Sequence, residues 1–353
     1  MWQGIRNHMI KKIALKSFRR FSNLTLDTNY NLIILCGKNA VGKTSILEGI
    51  YVCSTGGSHK TKEIKDLIKH NEDYAKIHLE DTSRTIDVVI SQKGRKMMIN
   101  NNPILKLSDF IGNLQAIMFS PQDINLINGD KGLRRSFFDL ELSLRSKEYL
   151  ILIQEFKKIL KKRNDILKSS SIDDVLLNVI TKEMNIRQEK IMDFRNNFMD
   201  CLNEELKMLR YSLGYDELVS IKYKPSLSGN DLNQVYIDNL NQDKLTKITN
   251  YGVHRDNYVF FLNGKEAYRY ASQGQQRSIA LLLKIALCNL TLKMIGQKPI
   301  LLLDDVFSEL DDVRCKALVA FLSDEGQTFI TTTTLANIPT YLQDKAYIIN
   351  LKE

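Results

Sequence analysis

Gly37-Lys38-Asn39-Ala40-Val41-Gly42-Lys43-Thr44 fits the pattern GxxxxGK[ST], and it lies between an apolar run, Leu32 to Leu35, and a helical stretch, Ser45 to Tyr51. In that context the glycines let backbone N–H groups wrap phosphate oxygens, and the N-terminus of the following helix adds its positive dipole end. Lys43 reaches the β- and γ-phosphates and Thr44 ligates Mg²⁺. Such a loop needs an acid at the end of a neighbouring strand to hold the metal through its water shell. Leu301-Leu302-Leu303-Asp304-Asp305 supplies it, with Asp304 on Mg²⁺ and Asp305 placed to polarise an attacking water. A third element, Ala271-Ser272-Gln273-Gly274-Gln275-Gln276, opens a long apolar helix. A Ser and a close-approach Gly at a helix start form a second anion site. Because the chain already owns one phosphate loop, Ser272, Gly274 and Gln275 are expected to close on the γ-phosphate of a second copy.

The elements that must position these groups are legible from punctuation and period. Ile13 to His59 reads strand, loop, helix, and residues 75–119 read as short antiparallel strands turning at Ser91 to Gly94 and at Asn100 to Pro103. From Leu133 to Leu213 there is neither Gly nor Pro, and apolar residues recur at helical spacing, as in Tyr149, Ile153, Phe156 and Leu160. This predicts a helical hairpin or small bundle broken near Lys168 to Ser171, with Ser171 capping the second helix and arms of about 50 Å. Short strands, the helix 276–295, the strand Pro299 to Leu303 and two further strands near 328–331 and 346–350 complete the chain. The expected fold is α/β: a P-loop core with an antiparallel β-subdomain, built from residues 1–132 and 214–353, interrupted by a helical arm at 133–213.

Composition bounds the partners. The 353 residues suit about two domains, and five scattered cysteines without a CxxC pair point to a reducing cytoplasm and no zinc site. The run Ile279 to Ile295 carries Lys284, Asn289 and Lys293, which suits a buried helix better than a membrane span. A net charge of +9 favours a polyanion. It is concentrated in residues 1–36 and in residues 131–170, where Lys157, Lys158, Lys161, Lys162 and Arg163 fall at helical spacings and are expected to follow a DNA backbone.

The three nucleotide motifs together resemble those of ABC-type ATPases, with Ser308 to Asp311 standing where that class has its dimer-contacting loop. Within the class the chain resembles the RecF family of bacterial recombination mediators, relatives of the heads of chromosome-maintenance ATPases. The resemblance is carried by Lys16-Ser17-Phe18-Arg19, the P-loop, Gly57-Ser58-His59-Lys60-Thr61, Phe119-Ser120-Pro121-Gln122-Asp123 and Leu133-Arg134-Arg135. Gly252-Val253-His254-Arg255-Asp256, Ser272 to Ser278 and Leu302 to Asp305 continue it. It implies ATP-dependent DNA binding at single-strand gaps or junctions, a homodimer with two ATP sandwiched, and weak, DNA-stimulated hydrolysis that resets the clamp. It also implies partnership with RecR and RecO in bringing RecA to gaps. Gln122 takes the role of sensing Mg²⁺ and the γ-phosphate, and Arg19 reaches a phosphate from the first hairpin. Departures are Gln122 itself, where the family more often has an acid, Val253 in place of Pro, eight residues before the usual start at Met9, and no His after Phe329 to Thr331. The rival reading is an ABC-type ATPase subunit coupled to a protein or transporter partner without DNA binding.

Overall fold

The computed structural model describes residues 9–61, 63–213, 217–227, 232–322 and 326–352, so the eight residues ahead of Met9 lie outside the described part. The chain divides into two compact units, Met1–Asp123 with Leu281–Glu353, and Ile124–Ala280.

The first unit holds two sheets. Five strands form the parallel sheet in the order Tyr347–Asn350, Leu32–Cys36, Thr328–Thr332, Ile300–Asp304, Ala116–Phe119. The three central strands are buried almost throughout, as strands of a covered parallel sheet must be; two are apolar runs, and Thr328–Thr332 carries three threonines. The second sheet is antiparallel, in the order Phe21–Asp27, Ile10–Phe18, Tyr74–Asp81, Thr85–Ser91, Gly94–Ile99, Asn102–Ile104. Its strand Tyr74–Asp81 alternates strictly, with Ala75, Ile77, Leu79 and Asp81 turned inward. Residues 75–119 therefore do not all join the antiparallel sheet: Ala116–Phe119, apolar at every position, pairs with Ile300–Leu303 in the parallel one. The helix Lys43–Thr55 packs between the sheets, where Ile46, Leu47, Ile50 and Val52 are fully buried. Gln327 joins the two ends of the chain. Its side chain accepts from Ile10 N at 2.7 Å and donates to the carbonyls of Ile10 and Thr28 at 2.8 and 2.7 Å.

The second unit contains the predicted hairpin and more. Its longer helices include Lys131–Arg145, Lys147–Lys168 and Asp174–Leu213, the last 40 residues long and so about 60 Å. The break falls where expected, but Asp173 rather than Ser171 caps the long helix, its carboxylate accepting from Leu176 N at 2.9 Å. The strands Val219–Lys224, Asn257–Leu262 and Lys265–Glu266 form a sheet belonging to this unit rather than to the core. Buried Arg195 explains why. Its guanidinium donates to Asp256 at 2.6 Å, to Val253 O at 2.8 Å and to Asp139 at 2.8 Å, binding segments about 60 residues apart in sequence. The helix Gln273–Ile295 is long and apolar enough to cross a bilayer, yet 72% of its most apolar window is buried inside the molecule, the mark of a core helix.

Candidate nucleotide site

The phosphate loop leaves the C-terminal end of Leu32–Cys36 and runs into Lys43–Thr55. Two positions require glycine. Gly42 has φ +99°, and a Cβ there would meet the Phe21 ring at 2.4 Å, while one on Gly37 would meet Leu351 O at 2.7 Å. Lys43 is 8% exposed, and its ammonium donates to the carbonyls of Gly37 at 2.5 Å and Lys38 at 2.7 Å, so it caps its own loop. Burial pushes its pKa below the ordinary value against the pull of Asp305.

Asp304 ends the strand Ile300–Asp304, which is not the immediate neighbour of the P-loop strand. Thr328–Thr332 lies between them, with Thr331 in register with both Asp304 and Leu35. Thr331 uses that place to join the two acids. Its hydroxyl donates to Asp304 Oδ1 at 2.9 Å and accepts from Asp305 N at 2.9 Å, and Thr44 Oγ1 donates to the same Asp304 oxygen at 2.7 Å. Asp305 has φ 53°, a left-handed conformation that turns the chain sharply out of the strand. Its Oδ1 is buried and has no hydrogen-bond partner among the described residues.

These groups line an open cleft of about 450 Å³ together with Asn39, Ala40, Ser45, Pro121, Gln122, Arg20 and Lys60. Gln122 thus lines the cleft. Arg19 does not. It makes a two-pronged pair with Glu48 on the P-loop helix, Nε to Oε2 at 2.8 Å and Nη2 to Oε1 at 2.7 Å, and its third nitrogen donates to Asp66 O at 3.0 Å. Burial works to raise the Glu48 carboxyl, but hydrogen bonds from Arg19 and Ser58 outweigh it and hold the pKa below the carboxylate range. Arg20 is the residue at the cleft, its guanidinium donating to Ala40 O. Ser17 and Arg19 both have positive φ, so the chain reverses between them and exchanges the directions a regular strand would give. Neither Arg20 nor Lys60 was singled out from the sequence, although Lys60 lay inside a quoted motif.

In the second unit Ser272 is exposed at the start of Gln273–Ile295. Its amide donates to Gln275 Oε1 at 2.8 Å and its hydroxyl accepts from Gln275 N at 3.3 Å, a reciprocal capping box. Gln276 donates to Ala271 O and accepts from Asn128 at 2.7 Å. Gln275 and Gln276 hold the shape of this loop. Of the five basic residues expected on DNA, Lys157, Lys158, Lys161 and Lys162 are exposed. Arg163 is fully buried, donating to Asp243 and Thr249 at 2.7 Å and to Thr181 at 2.9 Å, with Tyr236 beneath its guanidinium at 4.9 Å. It is a structural ion pair and does not face a ligand.

The family model for the RecF/RecN/SMC N-terminal domain matches residues 9–347. The chain belongs to the RecF family. It is 34% identical over 348 residues to the DNA replication and repair protein RecF of Oceanobacillus iheyensis, covering 93% of this chain and 94% of that one. It is 36% identical to RecF of Bacillus cytotoxicus, covering 97% and 96%. A solved structure of the recombination mediator protein RecF with ATP in the RecFOR pathway superposes with a TM-score of 0.89 at 27% identity, over 95% of each chain. The Smc head domain of Pyrococcus furiosus bound to the C-terminal domain of ScpA, at TM-score 0.54 and 14% identity, shares the fold. A RecF-family chain is thus an ABC-type ATPase head carrying an inserted helical unit.

Proposed function

We propose that this RecF-family chain is a cytoplasmic recombination and repair mediator in which two copies close around two ATP·Mg²⁺, grip DNA at single-strand gaps or junctions, and are released by slow hydrolysis. The observation that carries the reading is the joined set Thr44, Asp304, Thr331 and Asp305 at the mouth of the phosphate loop. The donors fit a hard cation: a hydroxyl, a carboxylate and the Gln122 amide are all oxygen ligands, and buried Asp305 Oδ1 still needs a hydrogen-bond donor. Thr44, Asp304 and Gln122 would hold Mg²⁺, whose chemistry is to neutralise charge on the phosphate oxygens.

The chain's own residues supply positioning and fixed charge. Lys43 exchanges the carbonyls of Gly37 and Lys38 for the β- and γ-phosphates, and the N–H groups of Asn39 to Thr44 face the same anion. Asp305 accepts a hydrogen bond from the attacking water and orients it. The exposed cap at Ser272, with Gly274, comes to the γ-phosphate from the second copy, so an isolated subunit hydrolyses poorly. Lys157, Lys158, Lys161 and Lys162 offer a sequence-independent surface to a phosphodiester backbone. RecR and RecO are the protein partners this reading entails.

Size-exclusion chromatography with light scattering, with and without ATP·Mg²⁺, tests the proposal when followed by titration with gapped DNA. The expected result is an ATP-dependent dimer with tighter DNA binding. A chain that stays monomeric with ATP bound, or binds DNA identically without it, refutes it.

A further inference from the structure

Lys284 stands in the long apolar helix Gln273–Ile295, flanked by fully buried Leu283, Ile285, Ala286 and Leu287, and is itself only 5% exposed. An ammonium there is costly unless paired, and an aliphatic side chain of similar size would pack without that cost. What Lys284 touches accounts for its presence. Its Nζ donates to Met118 O at 2.7 Å and pairs with Asp123 Oδ1 at 3.0 Å. The other oxygen of Asp123 accepts from Ser120 N at 2.7 Å, and Asp123 N donates to Ser120 O at 3.0 Å. Lys284 therefore grips both ends of one turn, the end of the strand Ala116–Phe119 and the start of Pro121–Ile124. This turn presents Pro121 and Gln122 to the nucleotide cleft, and of the two only Gln122 carries a polar side chain.

We propose that Lys284 is a positioning residue for ATP hydrolysis, acting through Asp123 to set the Gln122 amide at the cleft, and that this role keeps a charge in the core. The inference rests on the nucleotide reading given above. Lys284 and Asp123 do not line the cleft, so removing their pair leaves the phosphate loop intact and frees only the turn. Binding of ATP and its turnover should then separate.

The test compares Lys284→Met, Lys284→Arg, Asp123→Asn and the double variant Lys284→Met/Asp123→Asn with the wild type. The measurements are ATP affinity without Mg²⁺, kcat, and the Mg²⁺ concentration at half-maximal rate. Lys284→Met is expected to bind ATP without metal within about threefold of wild type, to lose at least about tenfold in kcat, and to need more Mg²⁺. Asp123→Asn should match it, the double variant should be no worse than the worse single, and Lys284→Arg should recover most of the rate. Wild-type kcat and Mg²⁺ dependence in folded Lys284→Met overturns the proposal. So do losses that add across the two residues, or an arginine as defective as methionine. Should Lys284→Met fail to fold, Asp123→Asn carries the test, since its side chain is 18% exposed at the turn. A wild-type chain that hydrolyses no ATP would instead strike at the nucleotide reading itself.

Discussion

Replacing Thr331 by valine keeps the shape of the side chain and removes one hydroxyl, which here serves two acids. The hydrogen bond to Asp304 Oδ1 at 2.9 Å goes to an ionisable acceptor and is worth about 1.5–3 kcal/mol, and the stranded Asp305 N–H costs about 1–3 kcal/mol more. The added methyl offsets about 1 kcal/mol. Thr331→Val should therefore destabilise the protein by about 1.5–5 kcal/mol. With Thr44 left as the remaining donor to that oxygen, the Asp304 carboxylate can rotate away from the metal position. ATP turnover should fall between about ten- and a hundredfold, with a smaller change in nucleotide affinity. Thr331→Ser is the control, since it retains the hydroxyl and deletes one buried methyl, costing about 1 kcal/mol. Urea denaturation and a coupled hydrolysis assay on both variants decide the matter. If valine and serine behave alike in both assays, the bridge between the two acids has no energetic standing and the reasoning fails.

Asp305→Asn should retain ATP and accumulate an ATP-bound dimer on size exclusion, whereas Lys43→Ala should lose nucleotide binding, measured by displacement of a fluorescent analogue. DNA affinity should fall with salt at a log–log slope no steeper than roughly −3.6 from the four exposed lysines, and Lys161→Gln should lower that slope by about 0.9. Arg163→Met should leave the slope unchanged while costing about 3–5 kcal/mol of stability, because it abandons buried Asp243. Burial depresses His59 and His254 to about 4. The unfolded chain binds those protons first, so stability is full above about pH 6.5 and drains away down to about pH 4. Denaturation midpoints across that window should flatten in His254→Phe.

The candidate site was legible as motifs because its groups are local strings: a loop of eight residues, and a strand ending in two acids. Each carries its own geometry in the spacing of glycines and apolar residues. What escaped was set by long-range pairing. Arg19 and Arg20 are neighbours with the same chemistry, and Glu48 together with a left-handed turn decides which of them faces the phosphate loop. The sheet of the second unit looked like part of the core until Arg195 tied it to the helices. Arg163 could have been recognised. At about 100° per residue Lys157, Lys158, Lys161 and Lys162 span about 140°, whereas Arg163 falls at about 240°, between buried Ile159 and Phe156. Ser272 starts its helix as the spacing predicts, and the side chain of Gln275 serves the cap.

The order of strands in the parallel sheet has a consequence for synthesis on the ribosome. Leu32–Cys36, which leads into the phosphate loop, is flanked by Thr328–Thr332 on one side and Tyr347–Asn350 on the other. At about 5–20 residues per second the roughly 314 residues between Cys36 and Asn350 take about 15–60 s to translate. For nearly all of that interval, until Thr328–Thr332 is made, an apolar strand has neither neighbour and offers both bare edges to any other chain. The core of this enzyme is closed last, so its nascent form depends on protection in the cell until translation is nearly complete.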